Sequence, residues 1–517
     1  MIRRVPLWVA LIFAATGGFL MRLSFPAPDV WILIFPAIFL QLWALIGRRL
    51  WSAMLVGFIS ATAFWAPLIF WLTLYLGPIP WLGLVSVMVA WMTSAAVGIS
   101  LITNALRQRW LHRSWQRMLI IPLSVAGLWT AREAISGSWP WGGFSWGRVA
   151  ESQSSSPFRT LIAWLGFAGV SFVIVWLTAL IVEAGRMAPA TWWWALPVAV
   201  LMSALLVPAW QPKLLGSERI AAIQGNSKSG LFDDQPPGQT LNDHIKVTEQ
   251  LTTAGVDVIV WPENAADISP LVDSNSANAL SYLSQKMKAP IVTGAITEDA
   301  SGRLFNSSLV WSGNHISAQY DKIHPVPFAE WMPARDFFHA IVPDLVNLVT
   351  RDYSFGERPN VLTINNVPTG ISICFDIVDD AQIRQMVERG AQVVFAQTNN
   401  ADFGATDESL QQIAIAQLRS IETGLSVVNI STVGASAIFS PTGETLASLP
   451  RFTAAAMVED VPLATSTTPA MVVGFPLELS VSALGLAALI MSLWRRNDPS
   501  RGRQRREAAT FQQPRGH

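Results

Sequence analysis

Residues 50–106 read LWSAMLVGFISATAFWAPLIFWLTLYLGPIPWLGLVSVMVAWMTSAAVGISLITNAL, a run of 57 residues without Asp, Glu, Lys or Arg. One membrane crossing needs about 20 apolar residues, so this run is long enough for two transmembrane helices. The segment Gly77-Pro78-Ile79-Pro80 lies in mid-run and is a turn signal that predicts the break between them. The stretch therefore predicts a polytopic α-helical membrane protein.

The composition divides the chain into unlike pieces. Of the 517 residues, 51% are hydrophobic and 14% are charged, whereas soluble proteins carry about 25% charged residues. Residues 1–217 hold 14 basic and 4 acidic residues, residues 218–468 hold 14 and 28, and residues 469–517 hold 7 and 3. The apolar content excludes disorder, the single Cys excludes a disulfide framework, and the acidic polar segment argues against nucleic-acid binding.

Further apolar runs predict seven membrane spans before the acidic segment and one after it. Beside the two spans in residues 50–106, these runs are Val5–Met21, Val30–Gly47, Met118–Ala131, Thr160–Val182, Thr191–Trp210 and Met471–Trp494. Arginines concentrate at the N-terminus, in alternate loops and in the C-terminal tail: Arg3, Arg4, Arg48, Arg49, Arg107, Arg109, Arg113, Arg117 and Arg186, with seven more after Trp494. The positive-inside rule then predicts that both termini are cytoplasmic and that the acidic segment is extracytoplasmic.

The acidic segment has the pattern of an α/β domain, because short β-branched runs alternate with polar helical stretches. The predicted strands are Ile220–Ile223, Val256–Val260, Ile291–Thr293, Ser308–Trp311, Gly370–Ile373, Val393–Ala396 and Val427–Ile430. One helix is predicted over Asp379–Arg389, and a second begins at a Thr406 cap and ends at Gly424. We therefore predict a membrane domain over residues 1–217, an α/β domain over 218–468, a transmembrane helix over 469–496 and a basic cytoplasmic tail over 497–517.

Three segments of the α/β domain place reactive side chains at or near strand ends. They are Val258-Ile259-Val260-Trp261-Pro262-Glu263, the stretch from Tyr320-Asp321-Lys322 to Glu330, and Gly370-Ile371-Ser372-Ile373-Cys374-Phe375-Asp376. Ligands and catalytic groups collect at strand ends in α/β sheets. A carboxylate, an ammonium and a thiol brought together there form a nucleophilic site.

Each of these residues has a plainer structural interpretation when taken alone. A lone Cys in an apolar strand is usually a small buried hydrophobe. Glu263 after Trp-Pro is compatible with a helix cap, Lys322 with a solvated charge, and His324 with a structural hydrogen bond. No pair of His residues has metal-ligand spacing, so we expect neither a metal nor a cofactor.

The combination is far more specific than its parts, and it resembles the nitrilase superfamily, whose Glu-Lys-Cys triad has this order and similar spacing. With the membrane spans around it, the chain resembles the membrane-embedded apolipoprotein N-acyltransferase branch. The shared fragments are Phe25-Pro26-Ala27-Pro28-Asp29-Val30-Trp31, Gln224-Gly225-Asn226, Asn306-Ser307-Ser308-Leu309, Val326-Pro327-Phe328 and Thr398-Asn399-Asn400-Ala401-Asp402-Phe403-Gly404.

The resemblance implies about eight transmembrane helices and an extracytoplasmic nitrilase-like domain built as an α-β-β-α sandwich. It implies Glu263 as general base, Lys322 as oxyanion stabiliser and Cys374 as the acylated nucleophile. Glu330 would be an accessory carboxylate that positions Lys322, and Asn306 matches a family motif. The implied donor is a membrane phospholipid, the acceptor is a diacylglyceryl apolipoprotein, and the location is a bacterial cytoplasmic membrane.

Two positions depart from the family pattern. Phe375-Asp376 stands where the family has Tyr-Glu, and Phe232 is the nearest aromatic residue where the family has a Trp after Gln-Gly-Asn. The first change removes a hydroxyl and a methylene, and the second bears on substrate gating.

Two other functions remain open from the sequence. A membrane-tethered amidase would share the first half of the chemistry, but the apolar residues between Trp331 and Thr350 favour a lipid substrate. A non-enzymatic transporter or scaffold would need ionisable residues within the spans, which hold hardly any. Arg132-Glu133 is the exception, and we expect it to form a buried pair or an interface feature.

Overall fold

The computed structural model describes residues 4–109, 113–187, 191–230, 233–251, 255–465 and 467–494. The predicted tail at 497–517 and the position of Phe232 lie outside the described residues. The described chain has two parts. The membrane part comprises the N-terminal helices and the last helix, and the α/β domain lies between them in the sequence.

All eight apolar runs predicted as spans lie on helices. The N-terminal helices are α1 (Leu7–Leu23), α2 (Ile34–Leu45), α3 (Leu50–Leu68), α4 (Leu72–Leu76), α5 (Pro78–Arg109), α6 (Ser114–Ser136), α7 (Ile162–Arg186) and α8 (Ala195–Leu205). The chain breaks at Gly77, where φ is 81°, just before Pro78 begins α5, so the predicted turn is confirmed. Short 3-10 helices lie at Trp31–Leu33, Val149–Gln153, Pro157–Leu161 and Thr191–Trp194.

The described residues of the α/β domain form six helices and twelve strands. Its helices are α9 (Gln239–Glu249), α10 (Ser274–Met287), α11 (Arg335–His339), α12 (Pro343–Leu348), α13 (Asp380–Glu388) and α14 (Glu408–Thr423), and α15 (Pro469–Trp494) follows the domain. Its strands are β1 (Leu214–Gln224), β2 (Val258–Val260), β3 (Ile291–Glu298), β4 (Leu304–Ser312), β5 (His315–Asp321), β6 (Val361–Ile364), β7 (Val367–Ile373), β8 (Val393–Thr398), β9 (Ser426–Ser431), β10 (Ser436–Phe439), β11 (Thr445–Leu449) and β12 (Ala455–Ala464). Further 3-10 turns are Cys374–Val378 and Ala401–Phe403.

Within the part of the chain that the structure describes, five helices are long and apolar enough to cross a membrane: Leu50–Leu68, Pro78–Gln108, Ser114–Ser136, Pro157–Arg186 and Pro469–Trp494. Three shorter apolar helices, Leu7–Leu23, Trp31–Leu45 and Trp192–Leu205, accompany them. The predicted pair Arg132 and Glu133 is buried in α6, with 3.3 Å between Nη2 and Oε1. The number of crossings and the sidedness stay predictions.

The strands form two six-stranded sheets with the orders β12-β1-β2-β3-β4-β5 and β11-β10-β9-β8-β7-β6. Apolar side chains of both sheets, including Val260 and Phe395, share one buried cluster between them. The outer face of the first sheet packs with α9 and α10. The outer face of the second packs with α13 and α14, whose apolar residues join the core of the membrane part. The layering is therefore α-β-β-α, as expected, and α14 lies at the junction.

The start of α14 differs from the predicted Thr406 cap. Asp407 is the residue that precedes the helix, and it makes no side-chain capping hydrogen bond. The Thr406 hydroxyl instead donates to the carbonyl of Phe403, 2.7 Å away, and Asp407 pairs with Arg22 of α1. A contact between the two parts of the protein has therefore replaced a local cap. The predicted end at Gly424 is confirmed, since Gly424 has φ 68° in the left-handed region.

Candidate active site

Cys374 lies on the turn that follows β7 in the second sheet. It begins the 3-10 turn Cys374–Val378 and has φ 51°, a left-handed conformation that is rare for a residue other than glycine. Asp376 holds the turn, because its Oδ2 accepts the backbone N–H of Ile373 at 3.1 Å. Backbone strain of this kind costs about 1–3 kcal/mol and clusters at functional sites. The turn leaves the thiol half-buried at the end of the strand.

Glu263 and Glu330 both accept hydrogen bonds from one side-chain amide, that of Asn306. The side chain of Asn306, on β4, donates through Nδ2 to Glu263 Oε1 at 2.8 Å and to Glu330 Oε1 at 2.7 Å. Asn306 and Glu263 are both buried. The other oxygen of Glu330 accepts the backbone N–H of Val326 at 2.6 Å. The asparagine therefore fixes both carboxylates by one side chain with two donors.

Lys322 follows β5 and is buried, with only 1% of its side chain exposed. Its Nζ lies 2.8 Å from Glu330 Oε2, but this approach lacks hydrogen-bond geometry, and Nζ has no other partner within the described residues. The backbone N–H of Lys322 donates to the Asn306 carbonyl at 2.8 Å. An ammonium has three donors, so Lys322 keeps donor capacity for a substrate oxygen.

The electrostatics of this cluster match a base beside a neutral thiol. Burial raises the pKa of Glu263 to about 7, although the Lys322 ammonium acts to lower it. Burial and the neighbouring Glu263 carboxylate raise the pKa of the Cys374 thiol. Burial acts to lower the pKa of Lys322, but Glu330 and Glu263 raise it, so Lys322 stays charged at neutral pH.

A second polar network, which the sequence analysis did not identify, lies on the other side of the thiol. Gln412 of α14 donates through Nε2 to Cys374 Sγ at 3.9 Å. Asn400 donates to Gln412 Oε1 at 2.9 Å and to Glu408 Oε2 at 2.8 Å. Burial raises the pKa of Glu408 to about 8, so this carboxyl is largely neutral at pH 7. The sequence signal that could have revealed this network is the set of polar residues on a buried face of α14.

The two positions that depart from the family pattern have different surroundings. Phe375 stacks against Phe144 and Trp146 of the membrane part, with ring centroids 5.8 and 6.3 Å apart. Asp376 is buried and accepts from the Tyr320 hydroxyl at 3.1 Å as well as from Ile373. Phe375 thus faces the membrane part, and Asp376 faces the interior of the domain.

Residues 331–350, which we call the flap, lie beside the cluster. The flap contains α11 and α12 around a small apolar core that includes Met332, Val346 and Val349. Phe338 packs against Trp141 of the membrane part, with centroids 5.9 Å apart, whereas Phe337 is 61% exposed. The flap therefore contacts the membrane part while presenting apolar surface outward.

The junction between the two parts contains a buried polar side chain with several partners. Gln411 of α14 is buried and donates to the carbonyls of Pro26 and Leu68, both at 3.2 Å. Its Oε1 accepts from the indoles of Trp71 and Trp146 at 3.3 and 2.7 Å. One side chain thereby binds four groups of the membrane part, one turn along α14 from Glu408.

Charged side chains complete the junction. Asp380, at the start of α13, pairs with Arg148 of the membrane part at 2.8 Å and with Arg419 of α14 at 2.5 Å. Both guanidinium groups lie 4.4 Å from the ring centroid of Phe167 in α7. His324 bonds Asp379 at 2.7 Å, the structural role expected for it.

Comparison with known proteins covers both parts of the chain. The sequence model of the apolipoprotein N-acyltransferase N-terminal domain matches residues 17–180, and the carbon-nitrogen hydrolase model matches residues 219–468. The chain belongs to the apolipoprotein N-acyltransferase family. A family member from Mycolicibacterium smegmatis is 27% identical over 93% of this chain and 84% of that protein. One from Vibrio vulnificus is 26% identical over 94% and 97%.

Among solved structures, an amidase from Nesterenkonia sp. is similar to part of this chain. The similarity covers 50% of this chain and 95% of the amidase, with a TM-score of 0.38 and 16% identity.

Proposed function

We propose that this protein transfers a fatty acyl chain from a membrane phospholipid to the N-terminal amine of the diacylglyceryl-cysteine of apolipoproteins, through a thioester on Cys374. The names of the family members support N-acyl transfer in lipoprotein maturation. The observation that carries the proposal is the position of the nucleophile. Phe375, the residue after Cys374, stacks against the membrane part, so the turn that carries the nucleophile abuts the part of the protein from which a lipid ester would come.

In the first half-reaction, the Glu263 carboxylate takes the thiol proton and Cys374 Sγ attacks the ester carbonyl carbon. Lys322 Nζ and the backbone N–H of Phe375 stabilise the oxyanion that forms. The carbon–oxygen bond of the ester then breaks, and Glu263 returns its proton to the departing alkoxide. A lysophospholipid leaves, and the acyl chain remains on sulfur as a thioester. The pKa of Glu263 near 7 suits a group that both accepts and returns a proton.

In the second half-reaction, the neutral α-amine of the acceptor attacks the thioester carbonyl. Glu263 takes the amine proton, the carbon–sulfur bond breaks, and the thiolate recovers a proton from Glu263, leaving an amide. The roles of the neighbouring residues follow from their contacts. Glu330 holds Lys322, and Asn306 holds both carboxylates. Splitting one transfer into two lets donor and acceptor use the site in turn.

We also propose the arrangement in the membrane. Eight helices cross a bacterial cytoplasmic membrane, both termini are cytoplasmic, and residues 218–468 lie on the extracytoplasmic side, as the distribution of arginines predicts. A membrane-impermeant protease added to whole cells should cut within residues 218–468 and spare the tail. Cleavage of the tail with protection of the domain would show that the orientation is the opposite one.

The experiment that tests the proposed reaction is intact-protein mass spectrometry after incubation with phospholipid and no acceptor. Cys374 is the only cysteine of the chain, so the wild-type protein should gain the mass of one acyl chain, and neutral hydroxylamine should remove it. Cys374→Ala should gain nothing. Glu263→Gln removes the general base and should slow acylation by about 100-fold or more. Lys322→Ala should do the same, because an oxyanion donor is worth roughly 2.7–4 kcal/mol.

Addition of an acceptor peptide with a free lipidated N-terminus separates transfer from hydrolysis. The acyl mass should move from the wild-type protein to the peptide amine. Discharge to water alone would assign the protein to the amidases, and an adduct on Cys374→Ala would refute the thioester.

A further inference from the structure

A large groove lies between α6, α13 and α15, on the same side of Cys374 as Phe375. Its volume is about 950 Å³, a size typical of ligand-binding sites. Its lining includes Phe375 and Asp376, directly after the nucleophile. It also includes Leu479 and Leu486 of α15, a helix apolar enough to cross a membrane. The groove is therefore bordered both by the residues that follow the nucleophile and by apolar residues of α15.

The cations that line the groove differ in how they are paired. Arg148 is bound to Asp380, and His324 is bound to Asp379. Arg384 of α13 is the exception, since no carboxylate within the described chain lies within ion-pair distance of it. Its guanidinium instead lies 4.6 Å from the ring centroid of Phe475 on α15. Stacking on an aromatic ring leaves the N–H groups at the edge of the guanidinium plane available as donors.

We propose that this groove binds the glycerophosphate headgroup of the phospholipid acyl donor, with Arg384 donating to the phosphate oxygens. The proposal rests on the function proposed above and adds a binding residue outside the triad. A guanidinium matches the two oxygens of a phosphate in a bidentate arrangement. With the phosphate held on α13, the acyl chains lie along the apolar side chains of α15. The ester carbonyls then lie between the headgroup and the membrane, on the path toward Cys374.

Glu478 of α15 also lines the groove and offers the competing explanation. Arg384 could serve only as a counter-ion for this carboxylate across the groove. If so, loss of Arg384 would act by leaving Glu478 unpaired, and removal of both charges would restore activity. Under our proposal the double change restores nothing, because the phosphate still lacks its donor.

The test measures acylation of Cys374 by intact-protein mass spectrometry with two donors. One is a dipalmitoyl phospholipid in mixed micelles, and the other is thiophenyl hexanoate, a reactive thioester without phosphate. Arg384→Gln should raise the half-saturating phospholipid fraction by about tenfold, equivalent to one charge-assisted contact, and leave the thioester reaction unchanged. Arg389→Gln, in the residue that follows α13 and outside the groove, removes the same charge and should change neither reaction.

Two variants of α15 that change no charge keep the test decisive if a charge change disturbs folding. Ala483→Phe narrows the groove and should slow acylation by phospholipid selectively. Leu484→Phe, the next residue of α15, is 44% exposed and does not line the groove, so it should behave as wild type. The double variant Arg384→Gln/Glu478→Gln should be as impaired as Arg384→Gln.

Several outcomes would overturn the proposal. They are an unchanged response of Arg384→Gln to phospholipid, an equal loss with both donors, rescue by Glu478→Gln, or an effect confined to the acceptor amine. Failure of the proposed function is distinguishable, because wild-type protein would then react with thiophenyl hexanoate and not with phospholipid at all.

Discussion

Replacing Asn306 by alanine tests how the candidate site sets the proton affinity of its base. In the wild-type protein, the Asn306 amide donates to both Glu263 and Glu330. The alanine variant leaves the buried Glu263 carboxylate near the half-buried Glu330 carboxylate without a bridging donor. Both the lost hydrogen bond and the neighbouring negative charge disfavour ionised Glu263. We therefore expect its pKa to rise further above the wild-type value of about 7.

The size of the shift follows from the contact that is lost. A hydrogen bond to a charged group contributes about 1.5–3 kcal/mol, and one pKa unit corresponds to about 1.4 kcal/mol. The pKa of Glu263 should therefore rise by about one to two units. The reactive form carries ionised Glu263 and a neutral thiol, so activity is lost as pH falls through the pKa of Glu263. The acidic limb of the profile should move to higher pH by the same amount.

The assay is the pH dependence of Cys374 acylation by a soluble thioester, with the adduct quantified by mass spectrometry. Its acidic limb reports the pKa of the essential base in the free enzyme. Asn429→Ala is the matched control, because Asn429 is also buried and donates to the Ala435 carbonyl away from the cluster. It should lower stability without moving the limb. A slower Asn306→Ala enzyme with an unmoved limb would refute this account of Glu263.

Three further predictions concern the flap, the junction and the turn after Cys374. Phe337→Ser should reduce the rate of acylation by phospholipid several-fold and leave the rate with a soluble thioester unchanged, because it removes exposed apolar surface from the flap. The control Tyr282→Ser, at another exposed aromatic residue, should change neither rate. Gln411→Leu leaves four groups of the membrane part unpaired, and buried unpaired groups cost about 1–3 kcal/mol each. The melting temperature of this variant in detergent should therefore fall. It should fall further than that of the control Gln417→Leu, because the Gln417 side chain donates to the Gly443 carbonyl. Asp376→Leu should lower the melting temperature and slow acylation with every donor, since the N–H of Ile373 loses its acceptor; a loss limited to phospholipid would contradict this role.

Local patterns were sufficient to predict most elements of the fold. The apolar runs all lie on helices, and the break before Pro78 is present. Each β-branched run overlaps a strand, from Ile220–Ile223 in β1 to Val427–Ile430 in β9, although β2 begins at Val258 rather than at Val256. These predictions succeed because helix and strand formation respond to apolar periodicity and turn residues within a few positions. The edge strands β5, β6, β11 and β12 and the inner strand β10 were not predicted, because their neighbours in the sheets supply much of what stabilises them.

The candidate site, like the fold, could be predicted from the sequence only in part. The order of Glu263, Lys322 and Cys374, and the strands that precede Glu263 and Cys374, could be predicted from the sequence, whereas β5 before Lys322 was not predicted. That these side chains meet depends on two sheets packing face to face, which brings the ends of β2, β5 and β7 together. The bridging role of Asn306 and the contact of Gln412 with the thiol depend on distances across that interface. No spacing along the chain encodes such distances.

The sequence by itself determined the membrane character, the α/β domain and the identity of the reactive groups, because hydropathy, periodicity and residue chemistry are local properties. Only the tertiary structure decided what surrounds those groups. It replaced the Thr406 cap by the pairing of Asp407 with Arg22, and it buried Glu263, which raises its pKa to about 7. It also placed Arg384 against Phe475 in the groove beside α15, with no carboxylate of the described residues within ion-pair distance. Burial and charge pairing arise from elements distant in sequence, so they exist only once the chain has folded.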